Sequence, residues 1–363
     1  MTGSTRRPKT HSAKQRGAAT IGDIAAAAGV SKMTVSRVLS SPWSVRPDTR
    51  ERIMQLVADL HYVPNRSARM LSGAELLRLG LLYNSPRSSY IVDFLMGAID
   101  QASIMDIQLL SRPVELEVDA LGVLKGMVAS GVDGIILTPP LSDVDALLAV
   151  ARAAAMPVLL VGADHPEDML SSISIDEGAA AREITQHLIA RGHRRIGFIM
   201  GEPVLAASHT RLEGFRAAMS EAGLTVEPDL IAQGYFTYRS GLVAAEQLLD
   251  RDDPPTAIFA SNDDMAAATV MVAHRRGLDV PDRLTVCGFD DSWIATNIYP
   301  ELTTIRQPIR DMAVDSIVLM AEAVRTARQG KPFVRRQVAD HALIVRQSVG
   351  APNEAVPAGR EDA

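Results

Sequence analysis

The sequence predicts an α/β protein in which a small all-α helix-turn-helix domain precedes two lobes, each built on a doubly wound parallel sheet. Two short helical patterns flank Gly29-Val30 near the start of the chain. From Leu79 onward, short β-rich runs alternate with helical stretches. This alternation is typical of parallel sheets covered by helices. The runs are too numerous for a single sheet of this kind, so we expect two lobes.

The first helix of the small domain is predicted to begin after Thr20, because Thr20 and Asp23 have the spacing of a capping box. Gly29 supplies the permissive backbone that a sharp turn needs. Ser31 can then cap a second helix. Each helix places its apolar residues on one face, namely Ile21, Ile24, Ala25 and Ala28 in the first and Val35, Val38 and Leu39 in the second.

A third helix is predicted over residues 47–60, where apolar residues at helical spacing can close a small core. The opposite face of the second helix is mostly polar and carries Lys32, Met33, Thr34, Ser36 and Arg37. Two helices joined by a short turn that contains glycine describe a helix-turn-helix motif. In such motifs the second helix has the shape to enter the major groove of DNA.

The stretch from Thr20 to Gly73, with the run Tyr62-Val-Pro-Asn65 near its end, resembles the LacI family of transcriptional regulators. Looser matches follow in the rest of the chain, including the segments 189–198, 211–215, 261–266, 288–291 and 302–308. The resemblance covers residues 20–348 and implies a periplasmic-binding-protein-like body. It implies a sequence-specific DNA-binding regulator, expected to be a repressor that a small carbohydrate-like effector releases from its operator.

The resemblance also implies a hinge over residues 65–72, which are too few to form a stable helix in water. In the family this segment becomes helical only on the operator, where a leucine, here Leu71, enters the minor groove. The alternative is a passive linker. The residues expected to contact DNA are Thr20, Ser31, Lys32, Met33, Thr34, Ser36, Arg37, Tyr62, Asn65, Arg66, Ala68 and Leu71.

Ligands of doubly wound sheets bind beyond the carboxyl ends of the strands. The resemblance places Arg211, Asn262 and Asp290 at positions that hold sugar hydroxyls, and Phe236 at a position that stacks on the sugar face. An arginine, a carboxylate and an amide can satisfy the donors and acceptors of neighbouring hydroxyls. The residues expected to bind the effector are Tyr83, Ser88, Tyr90, Arg211, Phe236, Asn262 and Asp290.

Other roles stay open for some of these polar residues. Arg211 could instead form a structural ion pair with an acid, and Asp264 and Asp291 are expected to be helix caps or solvated loop charges. Gly162 stands where many members of the family carry an aspartate. Because a hydrogen-bond acceptor is lost there, we expect a ligand that is larger than a simple hexose or bound differently.

Charge is divided unevenly along the chain. The formal net charge is −6, but residues 1–73 contain 12 Lys and Arg against 4 Asp and Glu, a net of +8, and the remainder carries −14. A basic head on an acidic body confines affinity for DNA phosphates to the head.

The sequence argues against several other classes of protein. It lacks the Gly-x-Ser-x-Gly motif, a P-loop and any cluster of histidines or cysteines, so neither an enzyme, a bound metal nor a cofactor is expected. Its apolar runs are too short to span a bilayer. With no signal-peptide pattern and a single cysteine, Cys287, the sequence predicts a cytoplasmic protein without a disulfide. A solute-binding protein is therefore the weaker alternative, while a regulator that needs a purine or another metabolite as corepressor stays open.

We expect a disordered basic arm over residues 1–19, a helix-turn-helix domain over 20–64, a hinge and linker over 65–76, an effector-binding and dimerisation body over 77–350 and a flexible tail over 351–363. The first lobe should comprise about residues 77–175 and 305–334, and the second about 176–304 and 335–350. Because one head reads only half a site, a homodimer on a near-palindromic double-stranded operator is expected. The tail has no apolar heptads, so no tetramer-forming coiled coil is predicted.

Overall fold

The computed structural model describes residues 19–40, 45–60, 62, 76–84, 88–116, 118–163 and 170–352. The chain forms two compact units, a head within the residues up to 75 and a body that holds the chain from residue 76 onward except residues 104–106. The predicted tail beyond residue 352, the hinge over residues 65–72 and all but the last residue of the predicted arm lie outside the described residues.

The described part of the head contains helices α1 (Ile21–Ala28), α2 (Lys32–Ser40) and α3 (Pro47–Asp59). The capping box is confirmed: the amide of Asp23 donates to Thr20 Oγ1 over 3.3 Å, and the amide of Thr20 donates to Asp23 Oδ2 over 2.8 Å. Gly29 follows α1 with a positive φ of 64°, which favours glycine. Ser31 caps α2, since its Oγ accepts from the amide of Thr34 over 3.1 Å.

The core of the head is small. Seven side chains from the three helices are buried, namely Ile24, Ala25, Ala28, Val35, Val38, Leu39 and Ile53. The first six are among the seven apolar positions that the sequence pattern of α1 and α2 predicts to face inward; the seventh, Ile21, is only partly buried and packs against this core. The third helix ends at Asp59, one residue before the predicted end.

In the body, the described residues of the first lobe form a parallel sheet with the strand order β11-β5-β4-β3-β1-β2. The strands are β1 (Arg78–Asn84), β2 (Gln108–Val114), β3 (Gly134–Leu137), β4 (Val158–Val161), β5 (Ser171–Ile175) and β11 (Arg336–Ala339). The helices of this lobe are α4 (Ser89–Met105), α5 (Ala120–Ala129), α6 (Asp145–Ala153) and α12 (Ile309–Ala327). Every residue of β3 and β4 is buried, as expected for strands covered on both faces.

The second lobe has a parallel sheet with the strand order β7-β6-β8-β9. Its strands are β6 (Ile196–Met200), β7 (Ile231–Gln233), β8 (Ala257–Ala260) and β9 (Thr285–Cys287). Its helices are α7 (Glu177–Ala190), α8 (Ala206–Glu221), α9 (Tyr238–Leu249), α10 (Asp263–Arg275) and the short α11 (Trp293–Thr296). A separate antiparallel pair joins β10 (Thr304–Arg306) to β12 (Ala342–Ile344). Two doubly wound lobes that follow a helical head in the chain confirm the predicted fold class.

The chain passes between the lobes three times, and the third passage differs from the prediction. The first follows β5 near Asp176, and the second leads from β10 into α12. The predicted first lobe ends at about residue 334, but β11 pairs in parallel with β5, Arg336 lying opposite Ser172. The return to the second lobe therefore follows Ala339. Among the described residues, no helix has the length and the apolar composition that a membrane span requires.

Candidate functional site

The outer face of α2 presents the side chains predicted to read DNA. Ser31, Lys32, Ser36 and Arg37 are exposed, Thr34 is half-buried, and Met33 is 67% exposed. An exposed methionine between polar neighbours contributes nothing to the core of the head, so its apolar surface is free for contact with a partner. Thr20 is exposed at the start of α1, and Tyr62 packs against the core of the head.

The other residues predicted to contact DNA, Asn65, Arg66, Ala68 and Leu71, lie outside the described residues. The structure therefore brings the predicted contacts of the head together on α2 and at Thr20, while the hinge contacts stay a prediction from sequence.

The body contains a cavity of about 790 Å³ between its two lobes. Six of the seven residues predicted to bind an effector line it, namely Ser88, Tyr90, Arg211, Phe236, Asn262 and Asp290. Tyr83 does not line the cavity, whereas its neighbour Asn84 does. Successive side chains of a strand point to opposite faces, which separates these two residues.

The cavity is also lined by residues outside the predicted set. They include Ile91, Pro139 and Pro140 from the first lobe and Glu177, Glu202, Leu205, Tyr235, Tyr238, Arg239 and Asp264 from the second. Four carboxyl groups and two arginines thus face the cavity together with four aromatic rings.

Arg211, on α8, is held rigidly at the wall of this cavity. Its Nε donates to Glu177 Oε2 over 2.7 Å, and its Nη1 donates to the carbonyl of Ser261. The guanidinium carbon lies 3.7 Å from the centroid of the Phe289 ring, and the side chain is only 6% exposed. The structural ion pair weighed as an alternative is therefore present, and it fixes the orientation of a side chain that also lines the cavity.

Asp290 follows β9 in a strained backbone segment. Asp290 and Asp291 have φ values of 112° and 54°, a region that residues with a side chain rarely adopt. Asp290 Oδ1 accepts from Gln307 Nε2 over 2.7 Å. Burial raises the pKa of the Asp290 carboxyl, and the nearby Arg211 opposes that shift. This arrangement offers a nearly buried, hydrogen-bonding carboxyl group at the wall of the cavity.

Phe236 and Asn262 support each other at the same wall. Phe236 also has a positive φ, 55°, and its carbonyl accepts from Asn262 Nδ2 over 3.1 Å. Asn262 Oδ1 caps α10 by accepting from the amide of Met265. The Phe236 ring lies so close to Gly201 that a Cβ at Gly201 would be 1.9 Å from its Cζ. The glycine thus allows the ring to lie in the cavity wall.

Tyr90 faces this group from the first lobe. Burial, with Glu177 and Asp290 nearby, raises the pKa of the Tyr90 phenol, so the hydroxyl stays a neutral donor and acceptor. Its oxygen is 3.8 Å from where a Cβ at Gly162 would lie. Gly162 has a φ of 66°, and a Cβ there would also lie 2.8 Å from Pro139 Cγ, so Pro139 packs against this glycine.

Asp264 and Asp291 differ from their expected roles as caps or solvated charges. Asp264 Oδ1 accepts from Ser89 Oγ across the cleft over 3.3 Å, and burial raises the pKa of the Asp264 carboxyl. Asp291 is nearly buried and forms ion pairs with Arg306 and Arg346. The expectation was wrong for both residues because their partners lie far away in the chain.

Asp263, at the start of α10, is completely buried behind the cavity. Its Oδ2 accepts from the amide of Ser292 over 2.8 Å, and its Oδ1 accepts from Thr304 Oγ1 over 2.6 Å. Burial raises the pKa of this carboxyl from 3.8 to about 7 despite these hydrogen bonds. The folded protein therefore holds this proton over a pH range in which the unfolded chain has released it.

We expect Asp263→Asn to gain stability relative to the unsubstituted protein as the pH rises from about 4 to about 7, by on the order of 1–3 kcal/mol. The native pKa lies above the unfolded value, so the stability contributed by the protonated carboxyl is lost as the pH rises towards 7. Denaturant unfolding at a series of pH values checks this. Asp282→Asn, at an exposed position, is the control. Parallel pH profiles for Asp263→Asn and the unsubstituted protein would contradict the assignment.

Residues 20–65 match the family model "Bacterial regulatory proteins, lacI family", and residues 185–349 match the "Periplasmic binding protein-like domain". The transcriptional regulator DegA of Bacillus subtilis is 32% identical over 92% of this chain and 99% of its own length. The regulator CelR of Thermobifida fusca is 33% identical over 90% of this chain and 96% of its own length.

Solved structures that resemble the chain over most of its length include two complexes. The CelR–cellobiose complex matches with a TM-score of 0.69 at 30% identity, covering 91% of this chain and 99% of that one. The lac repressor dimer bound to operator and the anti-inducer ONPF matches with a TM-score of 0.68 at 26% identity, covering 92% of this chain and 100% of that one.

Proposed function

The chain belongs to the LacI family of DNA-binding transcriptional regulators, and we propose that it represses transcription until a carbohydrate-like effector releases it from its operator. Its partners are operator DNA, a small-molecule effector and a second copy of the chain. The curated relatives named above are transcriptional regulators rather than enzymes.

The observation that carries the proposal is the coexistence of two features in one chain: an exposed polar face on α2 and a cleft cavity rich in hydrogen-bonding groups. We assign DNA reading to residues 20–64, the hinge to residues 65–76 and effector binding and dimerisation to residues 77–350. Within the hinge, Leu71 is the residue proposed to enter the minor groove, with Asn65, Arg66 and Ala68 beside it.

Base preference is assigned to Lys32 and Met33 at the start of α2, where recognition-helix side chains meet base edges. A lysine suits guanine N7 and O6, and a methionine can pack on a thymine methyl group. Arg37, one turn further along, is assigned to a base or a phosphate. The charge split between head and body supports a steep salt dependence of DNA binding.

We expect substitution of Lys32 and Met33 to change the preferred operator sequence and not merely to weaken binding. Each good base contact contributes ~1–3 kcal/mol of discrimination, so the consensus should change at one or two positions in each half-site. Selection from a random DNA library, followed by footprinting, measures this. Gln55→Ala, at an exposed position of α3, is the control. If the substituted protein selects the same consensus, Lys32 and Met33 do not set base preference. If the footprint shows a monomer on an asymmetric site, the proposed homodimer on a near-palindrome is contradicted.

The assignment of a carbohydrate effector is supported by the cavity chemistry. Arg211 donates, Asp290 accepts, and Phe236 offers an apolar ring, which together suit a sugar with hydroxyls on its edge and an apolar face. The solved complex of CelR with cellobiose is a whole-chain structural relative. A thermal-shift screen of sugars and nucleobases tests the class, because a ligand selective for the folded state raises its melting temperature.

Release from DNA is assigned to cleft closure. A ligand between the lobes favours one closure angle, which alters the separation of the two hinges in the dimer. An eight-residue hinge helix would be marginal, so a small increase in separation is enough to melt it.

A further inference from the structure

Burial divides the side chains that line the cavity into two groups. Glu177, Arg211, Asn262 and Asp290 are each at most 6% exposed and form the inner wall. Tyr235 and Tyr238 line the same cavity but are 50% and 36% exposed. The inner wall therefore surrounds a deep region, and the two tyrosines stand at the mouth.

The mouth is held in a fixed conformation by its backbone. Thr237 caps α9 in a capping box with Ser240, whose Oγ also accepts from the amide of Tyr235 over 2.9 Å. Phe236, between the tyrosines and the deep region, is fixed against Gly201. Tyr235 and Tyr238 are thus held at the opening of the cavity, where side chains this exposed contribute little to the stability of the fold.

The side-chain polar groups of Tyr235, Tyr238 and Arg239 have no partner within the part of the chain that the structure describes. Neither tyrosine hydroxyl forms a hydrogen bond there, and Arg239 beside them forms no ion pair with a described residue. An amphipathic ring and a free guanidinium supply the apolar face and the donors that a second polar ring needs.

The size and the charge of the cavity restrict the class of ligand that it can bind. About 790 Å³ lies in the upper part of the ~300–1,000 Å³ range of small-molecule sites, so one sugar ring would leave much of it unfilled. Gly162 lines the cavity without a side chain, whose Cβ would lie 2.8 Å from Pro139 Cγ and 3.8 Å from the Tyr90 oxygen. The lining offers little positive charge to an anionic ligand, because Arg211 is already paired with Glu177 and Arg239 is the other arginine among the described residues that line the cavity.

We propose that the effector is an uncharged glycoside of at least two rings, with one ring in the deep region at Arg211, Asp290 and Phe236 and the next ring against Tyr235 and Tyr238. The inference rests on the proposed carbohydrate response and adds ring number and charge to it. The mouth tyrosines are then specificity-determining residues, because only the longer ligand reaches them.

The test is titration calorimetry of the full chain with glucose, glucose 6-phosphate, cellobiose, maltose and lactose. We expect at least one disaccharide to bind at least tenfold more tightly than glucose and the phosphate to bind most weakly. Tyr238→Ala should lower the ratio of disaccharide to glucose affinity by roughly five- to tenfold, because it removes a ring contact available only to the longer ligand. Tyr238→Phe should keep most of that ratio.

Val243→Ala is the matched control, since Val243 lies on the same helix, is 63% exposed and does not line the cavity. It should leave all affinities unchanged. If Tyr238→Ala weakens glucose and the disaccharide equally, or glucose binds as tightly as every disaccharide, the two-ring inference is overturned while a carbohydrate response still stands. If no sugar in the panel binds, the carbohydrate response itself is overturned, and the inference with it.

Discussion

Arg211→Ala is expected to abolish the response of operator binding to the effector, while operator binding without the effector stays close to that of the unsubstituted protein. Arg211 belongs to the body and lines the cavity, so its loss removes a fixed donor from the proposed effector site without touching the face of α2. The usual coupling of ~1–3 kcal/mol corresponds to a 5–150-fold change in affinity, and that change should disappear. Gel-shift titration with and without the effector measures it.

The same substitution leaves Glu177 buried without its partner, so a loss of stability must be separated from a loss of binding. Breaking a buried ion pair by removing one member costs ~3–5 kcal/mol. Asp290→Asn provides the second variant, because it keeps the Arg211–Glu177 pair and changes only the acceptor. Arg216→Ala, at an exposed position of the same helix, is the control. If folded Arg211→Ala and Asp290→Asn both respond fully to the effector, the site lies elsewhere.

Ile53→Ala is expected to lower operator affinity by at least about tenfold by unfolding the head. Ile53 is completely buried in a core of seven side chains. Removing such a side chain costs ~2–5 kcal/mol, whereas a domain of this size is rarely stabilised by more than ~3–5 kcal/mol. The mutation therefore removes most of the stability of the head.

Calorimetry of the full chain measures this, because it distinguishes the unfolding transition of the head from that of the body. The transition of the head should move to lower temperature or vanish in Ile53→Ala, and the transition of the body should stay where it is. Gln55→Ala, two residues away on the exposed face of α3, should change neither. Normal operator binding by Ile53→Ala would show that the three-helix core is not what positions α2.

Local signals in the sequence predicted the head well. The capping box at Thr20 and Asp23, the turn at Gly29 and the cap at Ser31 each depend on residues at most a few positions apart. In the body, α10 was harder to predict. Its sequence is alanine-rich and nine of its 13 residues are buried, so it lacks the polar face that gives an amphipathic period.

In the candidate site, too, residues with distant partners were harder to predict than residues with local signals. Arg211 and Asp290 were predicted from a resemblance, but Glu177 looks like any acid in the first turn of a helix until its contact with Arg211, 34 residues later, is known. Asp264 looks like an ordinary N-terminal helix acid, and its partner Ser89 lies 175 residues earlier. Tyr83 and Asn84 differ by one position, and only the side-chain alternation of the strand decides which one lines the cavity.

The passage of the chain back into the first sheet has a consequence for the order of folding during synthesis. The first lobe is begun by β1 to β5 but is completed by α12 and β11, after the polypeptide of β6 to β9 has been made. The packing of α12 on β3 is intimate, since a Cβ at Gly134 would lie 2.3 Å from Met320 Cε. Until α12 emerges from the ribosome, that face of the nascent sheet exposes apolar side chains. The strands and helices of the second lobe's sheet are contiguous in sequence, so that sheet can form before the lobe that precedes it is complete.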